Sequence, residues 1–232
     1  MKLAIMQPYF LPYLGYWQML NAVDRFILYD DVNYIKNGWI NRNNLLDKGK
    51  AHFFTLALDG ASPFKLINET HINGSESSRN KVTSYIKNSY RKAPFFKEVF
   101  PMIEEIVNYP ETNIALLLKN HFRIIADYLE ITTEIVESSR IDKDSSLKGQ
   151  DKVLDICQKQ QADIYINAIG GTALYKYEDF AARGIKLQFI KMLPIEYQQF
   201  KNEFVPNLSI LDVMMFNPVE TIKKYLENYE LQ

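Results

Sequence analysis

The chain has 232 residues, 47% apolar and 24% charged, enough to bury a sizeable core in one domain or in one domain carrying an insertion. Its 27 Lys plus Arg nearly cancel its 28 Asp plus Glu, which leaves no basic excess for nucleic acid or an anionic membrane. A single cysteine, Cys157, excludes an intrachain disulfide, and no apolar run reaches signal-peptide or membrane-spanning length, so a cytoplasmic protein with no nucleic-acid partner and no membrane insertion is expected.

In chain order, Lys2 to Met6 reads as a short apolar strand, Leu14 to Val23 has helical spacing, and Arg25 to Tyr29 is a second strand ending in Asp30-Asp31. This is a βαβ unit, in which the strands are parallel and ligands bind beyond their carboxyl ends. His52 to Leu58 and Phe64 to Ile72 then read as a hairpin about Asp59-Gly60, followed by helices from Ser77 to Leu129. The clearest helix, Thr112 to Leu129, carries one apolar stripe behind a Thr cap. From Glu134 the first rhythm returns: a strand to Glu137, a polar linker Ser138 to Ser146, a helix Leu147 to Gln160 that buries Cys157, and strands at Asp163 to Asn167 and Lys186 to Ile190. Asn217-Pro218 opens a last helix in N-cap and first-turn order. The expected architecture is α/β, a single domain over 1–232 with a Rossmann-like, mostly parallel sheet and flanking helices, interrupted at 44–130 by an inserted β-hairpin and helical segment.

Two stretches are dense in chemistry. Five of the nine residues from Tyr9 to Trp17 are aromatic, against a chain average of 13%. Pro8 and Pro12 hold Gln7 to Pro12 extended, so the segment presents its side chains from a rigid loop. Gln7, Tyr9, Tyr13 and Tyr16 are candidate substrate-binding residues; the alternative is that Tyr13, Tyr16 and Trp17 are the buried face of the following helix, the reading preferred for Trp17. Pro12-Tyr13-Leu14-Gly15-Tyr16 resembles the Pro-x-His-x-Gly-His of nucleotidyl-transferring α/β folds but lacks the histidines, whose charge a neutral phenol does not replace.

The second stretch runs from Asp30 to Asn43. Acidic Asp30 and Asp31, cationic Lys36 and Arg42, the rings of Tyr34 and Trp39 and the amides of Asn41 and Asn43 suit hydroxyls, a charged group and a flat ring together. A solvated turn with a surface ion pair is the competing reading. Adjacent strand residues face opposite ways, so only one of the two carboxylates is expected to enter a pocket. His52, His71 and His121 have no metal-ligand spacing, His121 reads as an exposed or partly packed helix residue, and no metal site is expected.

The run IMQPYFLPYLGYWQMLNAVDRFILYDDVNYIKNGWINRN, with YINAIGGTALY and FVPNLSILDVMMFNP, closely resembles the WbqC-like proteins over nearly the whole chain. The resemblance implies a place among bacterial polysaccharide and O-antigen biosynthesis proteins and transfer of an amino-acid-derived acyl group to the amine of a nucleotide-linked aminosugar. It adds Asn167, Gly170, Gly171 and Tyr175 from the second motif, and Ser209 and Asp212 from the third, as substrate-binding candidates converging with the first on one crevice. For Ser209 and Asp212 a helix cap and its capping-box partner is an equal alternative. In the implied reaction Asp30 or Asp31 orients or deprotonates the amine, and Lys36 or Arg42 holds a phosphate or the developing oxyanion. The donor is an acyl or aminoacyl carrier protein or an adenylate made from ATP with magnesium. The alternatives are a non-catalytic module that binds a sugar nucleotide or a carrier protein, and an ATP-dependent acid-amine ligase.

Overall fold

The computed structural model describes residues 1–201 and 203–232. The chain begins with β1 (Lys2–Met6), α1 (Leu14–Asn21) and β2 (Arg25–Leu28). It continues through β3 (Arg42–Asp47), β4 (Lys50–Thr55), β5 (Leu58–Asp59), β6 (His71–Ile72), α2 (Glu76–Tyr90), α3 (Phe96–Asn108) and α4 (Ile114–Tyr128). The remainder is β7 (Glu134–Glu137), α5 (Gly149–Lys159), β8 (Ile164–Ala168), α6 (Tyr177–Ala181), β9 (Lys186–Met192), α7 (Ile210–Phe216), α8 (Val219–Leu226) and β10 (Tyr229–Leu231).

Six strands form the central sheet in the order β10-β9-β8-β1-β2-β7. All neighbours are parallel except β10, which runs against β9. The inner strands carry apolar runs, Leu3–Ile5 in β1 and Phe26–Leu28 in β2, because both faces of the sheet are covered there. Leu3, Ile5, Ile27, Tyr165 and Phe189 join the smaller core on the α5–α6 side, whereas Ala4, Phe26, Leu28, Ile166 and Ile190 join the larger one with the other helices. After β1 the chain moves to β2 and β7 on one side, and β8 and β9 lie on the other. The order therefore reverses between β1 and β8, and the diverging loops open a crevice beyond their carboxyl ends.

Several expectations are corrected. The hairpin pairs β3 with β4, from Arg42↔Thr55 to Asp47↔Lys50, about Lys48-Gly49. Both turn residues have positive φ, 49° and 76°, the conformation that matches strand twist in a two-residue turn. Of Phe64 to Ile72 only β6 is extended, paired with β5. The α4 cap is Asn113, not Thr112; its side chain accepts from the Ala115 and Leu116 amides. Asn217 does not cap α8 but donates from Nδ2 to the Val213 carbonyl at the end of α7, and Pro218 holds the cap position. His121 is fully buried between Phe10, Trp17 and Phe122, and burial pushes its pKa down to about 3. Cys157 is a buried helix residue whose thiol burial raises to about 12. Among the described residues no helix is long and apolar enough to cross a membrane.

Candidate functional site

The loop from Gln7 to Tyr13 follows β1 directly into the crevice. Two prolines remove amide donors, and Leu11, fully buried, sits at φ 45°, a left-handed conformation that costs an L-residue about 1–2 kcal/mol. Remote side chains hold that geometry by satisfying the loop's carbonyls. Tyr16 Oη donates to Gln7 O at 2.9 Å, Asn43 Nδ2 to Phe10 O at 3.0 Å, Ser209 Oγ to Leu11 O at 2.7 Å, and Trp17 Nε1 to Pro12 O at 3.2 Å. The backbone adds Phe10 N to Trp39 O at 3.1 Å and Ile210 N to Pro12 O at 2.9 Å. Buried carbonyls left without such partners would cost about 1–3 kcal/mol each, so these contacts specify the loop.

The loop forms one wall of a cleft of about 610 Å³, lined by Tyr9, Tyr13, Tyr16, Trp39, Asn43 and Asn44, with Ala168 at the end of β8 and Asn207 across from them. Tyr9 and Tyr16 lie 5.5 Å apart between ring centroids. Trp39 is 41% exposed and leans on Phe53 at 6.0 Å, over which the Arg42 guanidinium sits at 4.4 Å. Burial raises the pKa of Tyr9 and Tyr13, so both present neutral O–H groups. The N-terminus of α1 opens into the same cleft. Tyr13 gives it no side-chain cap, so the first turn presents the positive end of the helix there. Gly15 lets the Tyr13 ring lie against the helix: a Cβ would fall 2.5 Å from its Cε2 and force the ring to shift.

A second lobe of about 580 Å³ shares Tyr13, Pro206 and Asn207 with the first and continues between β9 and α7, along Leu14, Met192, Ile195, Phe204 and Leu208. Its outer wall is the segment after β9, anchored on Asp212. The Asp212 carboxylate is fully buried and accepts from Tyr90 Oη at 2.8 Å, Tyr197 Oη at 2.7 Å and Gln199 Nε2 at 2.6 Å. Burial raises its pKa, against the lowering effect of these three neutral donors. Gln199 Oε1 in turn accepts from the Val205 amide at 2.7 Å, closing the segment on itself.

The predicted residues divide into those that line the cleft, those that hold it and those placed elsewhere. Tyr9, Tyr13, Tyr16, Trp39 and Asn43 line the first lobe. Gln7 is half-buried at the end of β1 and offers its carbonyl to Tyr16. Ser209 caps α7 by accepting from Leu211 N while its hydroxyl ties down Leu11; Asp212 is turned toward Tyr90 and Tyr197 and forms no capping box. Neither acidic residue lines the cleft. Asp30 is buried, accepting from Ser139 N at 2.9 Å and Ser139 Oγ at 2.6 Å. Asp31 Oδ2 is shared by Lys143 Nζ at 2.9 Å and Lys152 Nζ at 3.0 Å. Burial works to raise the Asp31 pKa, but hydrogen bonds from Lys143, Ser138 and Lys152 outweigh it and hold the carboxyl below its ordinary value. Tyr34, Lys36, Asn41 and Arg42 face a separate depression of about 270 Å³, where Tyr34 Oη donates to Asn41 Oδ1 at 2.9 Å and Lys36 is exposed.

Asn167 points to the α5–α6 side, donating to the Tyr165 hydroxyl at 2.6 Å and to that of Tyr175 at 3.3 Å. A Cβ on Gly171 would meet Asn167 Oδ1 at 2.6 Å, so this glycine lets the turn after β8 close over the asparagine, while Gly170 is exposed with open space around it. The cleft residues not singled out from sequence include Met6, Met19, Asn44, Ala168 and Pro206, together with Met192, Ile195 and Glu196 of the second lobe. The rule that ligands lie beyond parallel strand ends applies equally to the strand at Lys186, and the prolines Pro194 and Pro206 after it were the available signal.

Fold and cleft together define an α/β protein with a mainly parallel sheet and an aromatic, amide-lined crevice at the point where strand order reverses. The model of the WbqC-like protein family matches residues 7–224, and the chain belongs to that family. It is similar to the uncharacterised protein Rv1507c of Mycobacterium tuberculosis, 27% identical over 228 residues covering 97% of each chain. No solved structure matches it.

Proposed function

We propose that the first lobe binds a nucleotide-linked aminosugar and that the protein acts in polysaccharide or O-antigen biosynthesis by bringing an amino-acid-derived acyl donor to the sugar's amine. The observation that carries this reading is the cleft itself, where exposed Trp39 and the phenols Tyr9 and Tyr13 offer flat faces and O–H donors beside amides and the positive end of α1. That set suits a ring, sugar hydroxyls and a diphosphate in one ligand. The reversal of strand order between β1 and β8, beyond whose carboxyl ends ligands of parallel sheets lie, supports the same location. Catalysis on this reading is by approximation, the cleft holding amine and acyl carbon in reacting geometry without a protein nucleophile.

A second reading, a non-catalytic sugar-nucleotide or carrier-protein module, is favoured by one observation: Asp30, Asp31 and Lys36 all lie outside the cleft. The test uses Trp39 as reporter, since the only other indole, Trp17, is fully buried. UDP-glucosamine is expected to quench Trp39 emission, and Trp39→Ala to weaken its calorimetric affinity about tenfold or more, the loss typical of one stacked ring. Binding of ATP with magnesium but not UDP-glucosamine would favour the ligase alternative and overturn the reading, as would silence toward both. Binding of UDP-glucosamine with no turnover in the presence of aminoacyl donors would leave the non-catalytic module.

A further inference from the structure

The second lobe has a different chemistry from the first. Leu14, Met192, Ile195, Phe204 and Leu208 give it an apolar floor, and Glu196, exposed at its rim, is its one charged lining residue among those described. Among the described residues no charged side chain lines the first lobe, so the joined clefts carry a single formal charge there, and it is negative. No hydrogen bond or ion pair engages the Glu196 carboxylate among the described residues, whereas the wall behind it is fixed through Tyr197 and Gln199 onto Asp212. The lobe is therefore built before any ligand arrives. An apolar floor beside an unpaired carboxylate discriminates by charge: it attracts a cation with an apolar body, repels an anion, and gains nothing electrostatic from a neutral isostere.

We propose that this lobe is a second ligand subsite that takes an ammonium-bearing molecule with an apolar body, Glu196 pairing with the ammonium. The inference does not rest on what occupies the first lobe, with which this one shares Tyr13, Pro206 and Asn207.

The methionines separate the two lobes experimentally. Of the seven in the chain, Met6 and Met19 line the first and Met192 the second. Full-length protein carrying 13C-methyl methionine is titrated with phenethylamine, 2-phenylethanol and phenylacetate. The amine is expected to shift the Met192 methyl and leave Met6 and Met19 in place, binding about fivefold more tightly than the alcohol and more tightly still than the acid, the preference of a rim ion pair. Glu196→Gln should reduce amine affinity to that of the alcohol without changing the alcohol, and Ile195→Trp, which fills the lobe, should remove the Met192 response to both. Shifts at Met6 or Met19 instead of Met192, equal affinity for amine and alcohol, or no shift at all would overturn the proposal. UDP-glucosamine added to the same sample reports on the first lobe alone, so either reading can fail without the other.

Discussion

Ser209 shows how one side chain can serve a site without touching a ligand. Its hydroxyl spans 198 positions of sequence to hold the Leu11 carbonyl, and the same oxygen accepts from the Leu211 amide at 3.2 Å to start α7. Ser209→Ala removes both a cap and the partner of a buried carbonyl in a strained loop, and a loss of about 1–2 kcal/mol of unfolding free energy is expected in denaturant titration. Because the loop then no longer holds Leu11 at positive φ, UDP-glucosamine affinity should fall with it. A variant with unchanged affinity would show that the rest of the carbonyl clamp suffices. Asn43 and Trp17 act on the same loop in the same way, which explains polar and indole groups on otherwise apolar, buried positions.

At the scale of elements, the end of β2 is a structural joint. Asp31, with Lys143 at 5% and Lys152 at 10% side-chain exposure, fastens the segment after β7 and the start of α5 to the sheet. Lys143 also donates to the Ser138 carbonyl, and the Lys152 ammonium lies 5.1 Å over the Tyr29 ring. Asp31→Asn strands two buried cations, and a loss of about 3 kcal/mol in stability is expected, since removing one partner of a buried ion pair costs about 3–5 kcal/mol. Affinity for UDP-glucosamine should stay within twofold. Replacing all three by apolar residues, Asp31→Leu, Lys143→Met and Lys152→Met, should recover much of that stability. If instead Asp31→Asn abolished turnover while leaving the melting temperature untouched, the residue would be catalytic and not a joint.

For the whole molecule, acid stability is set by buried groups that act in opposite directions. His121 has a native pKa of about 3 against an ordinary value of 6.5. Only the unfolded chain takes up its proton between those values, so stability is full above pH 6.5 and is lost progressively down to about pH 3, by roughly 4–5 kcal/mol. Asp31, held below its ordinary value, adds a further loss as pH falls below about 4. Asp212, whose native pKa is raised by burial, opposes both: the folded form binds its proton first, so acidification relieves a cost there. His121→Leu is expected to flatten the fall in melting temperature between pH 6.5 and 4, and Asp212→Asn to steepen it. Parallel curves for His121→Leu and the wild type would rule out the histidine as the acid-sensitive group.

Some of this was legible one residue at a time. The parallel strands could be read because both their faces are buried, which leaves apolar runs such as Leu3–Ile5 and Phe26–Leu28 with no polar alternation. Pro8, Pro12 and the aromatic density between them marked the loop that walls the cleft, since proline geometry is local and needs no partner. The hairpin was misplaced because Lys48-Gly49 is a weak turn signal and Arg42 and Asn43 looked like recognition chemistry. Only the tertiary structure decided which polar residues face the cleft. Asp30 and Asp31 carry the right groups for a site at the right strand end, yet Ser139, Lys143 and Lys152, more than a hundred residues later, claim them first. A side chain's chemistry belongs to its sequence, but its availability depends on what the fold brings within hydrogen-bonding distance, and that is a property of contacts that no local pattern encodes.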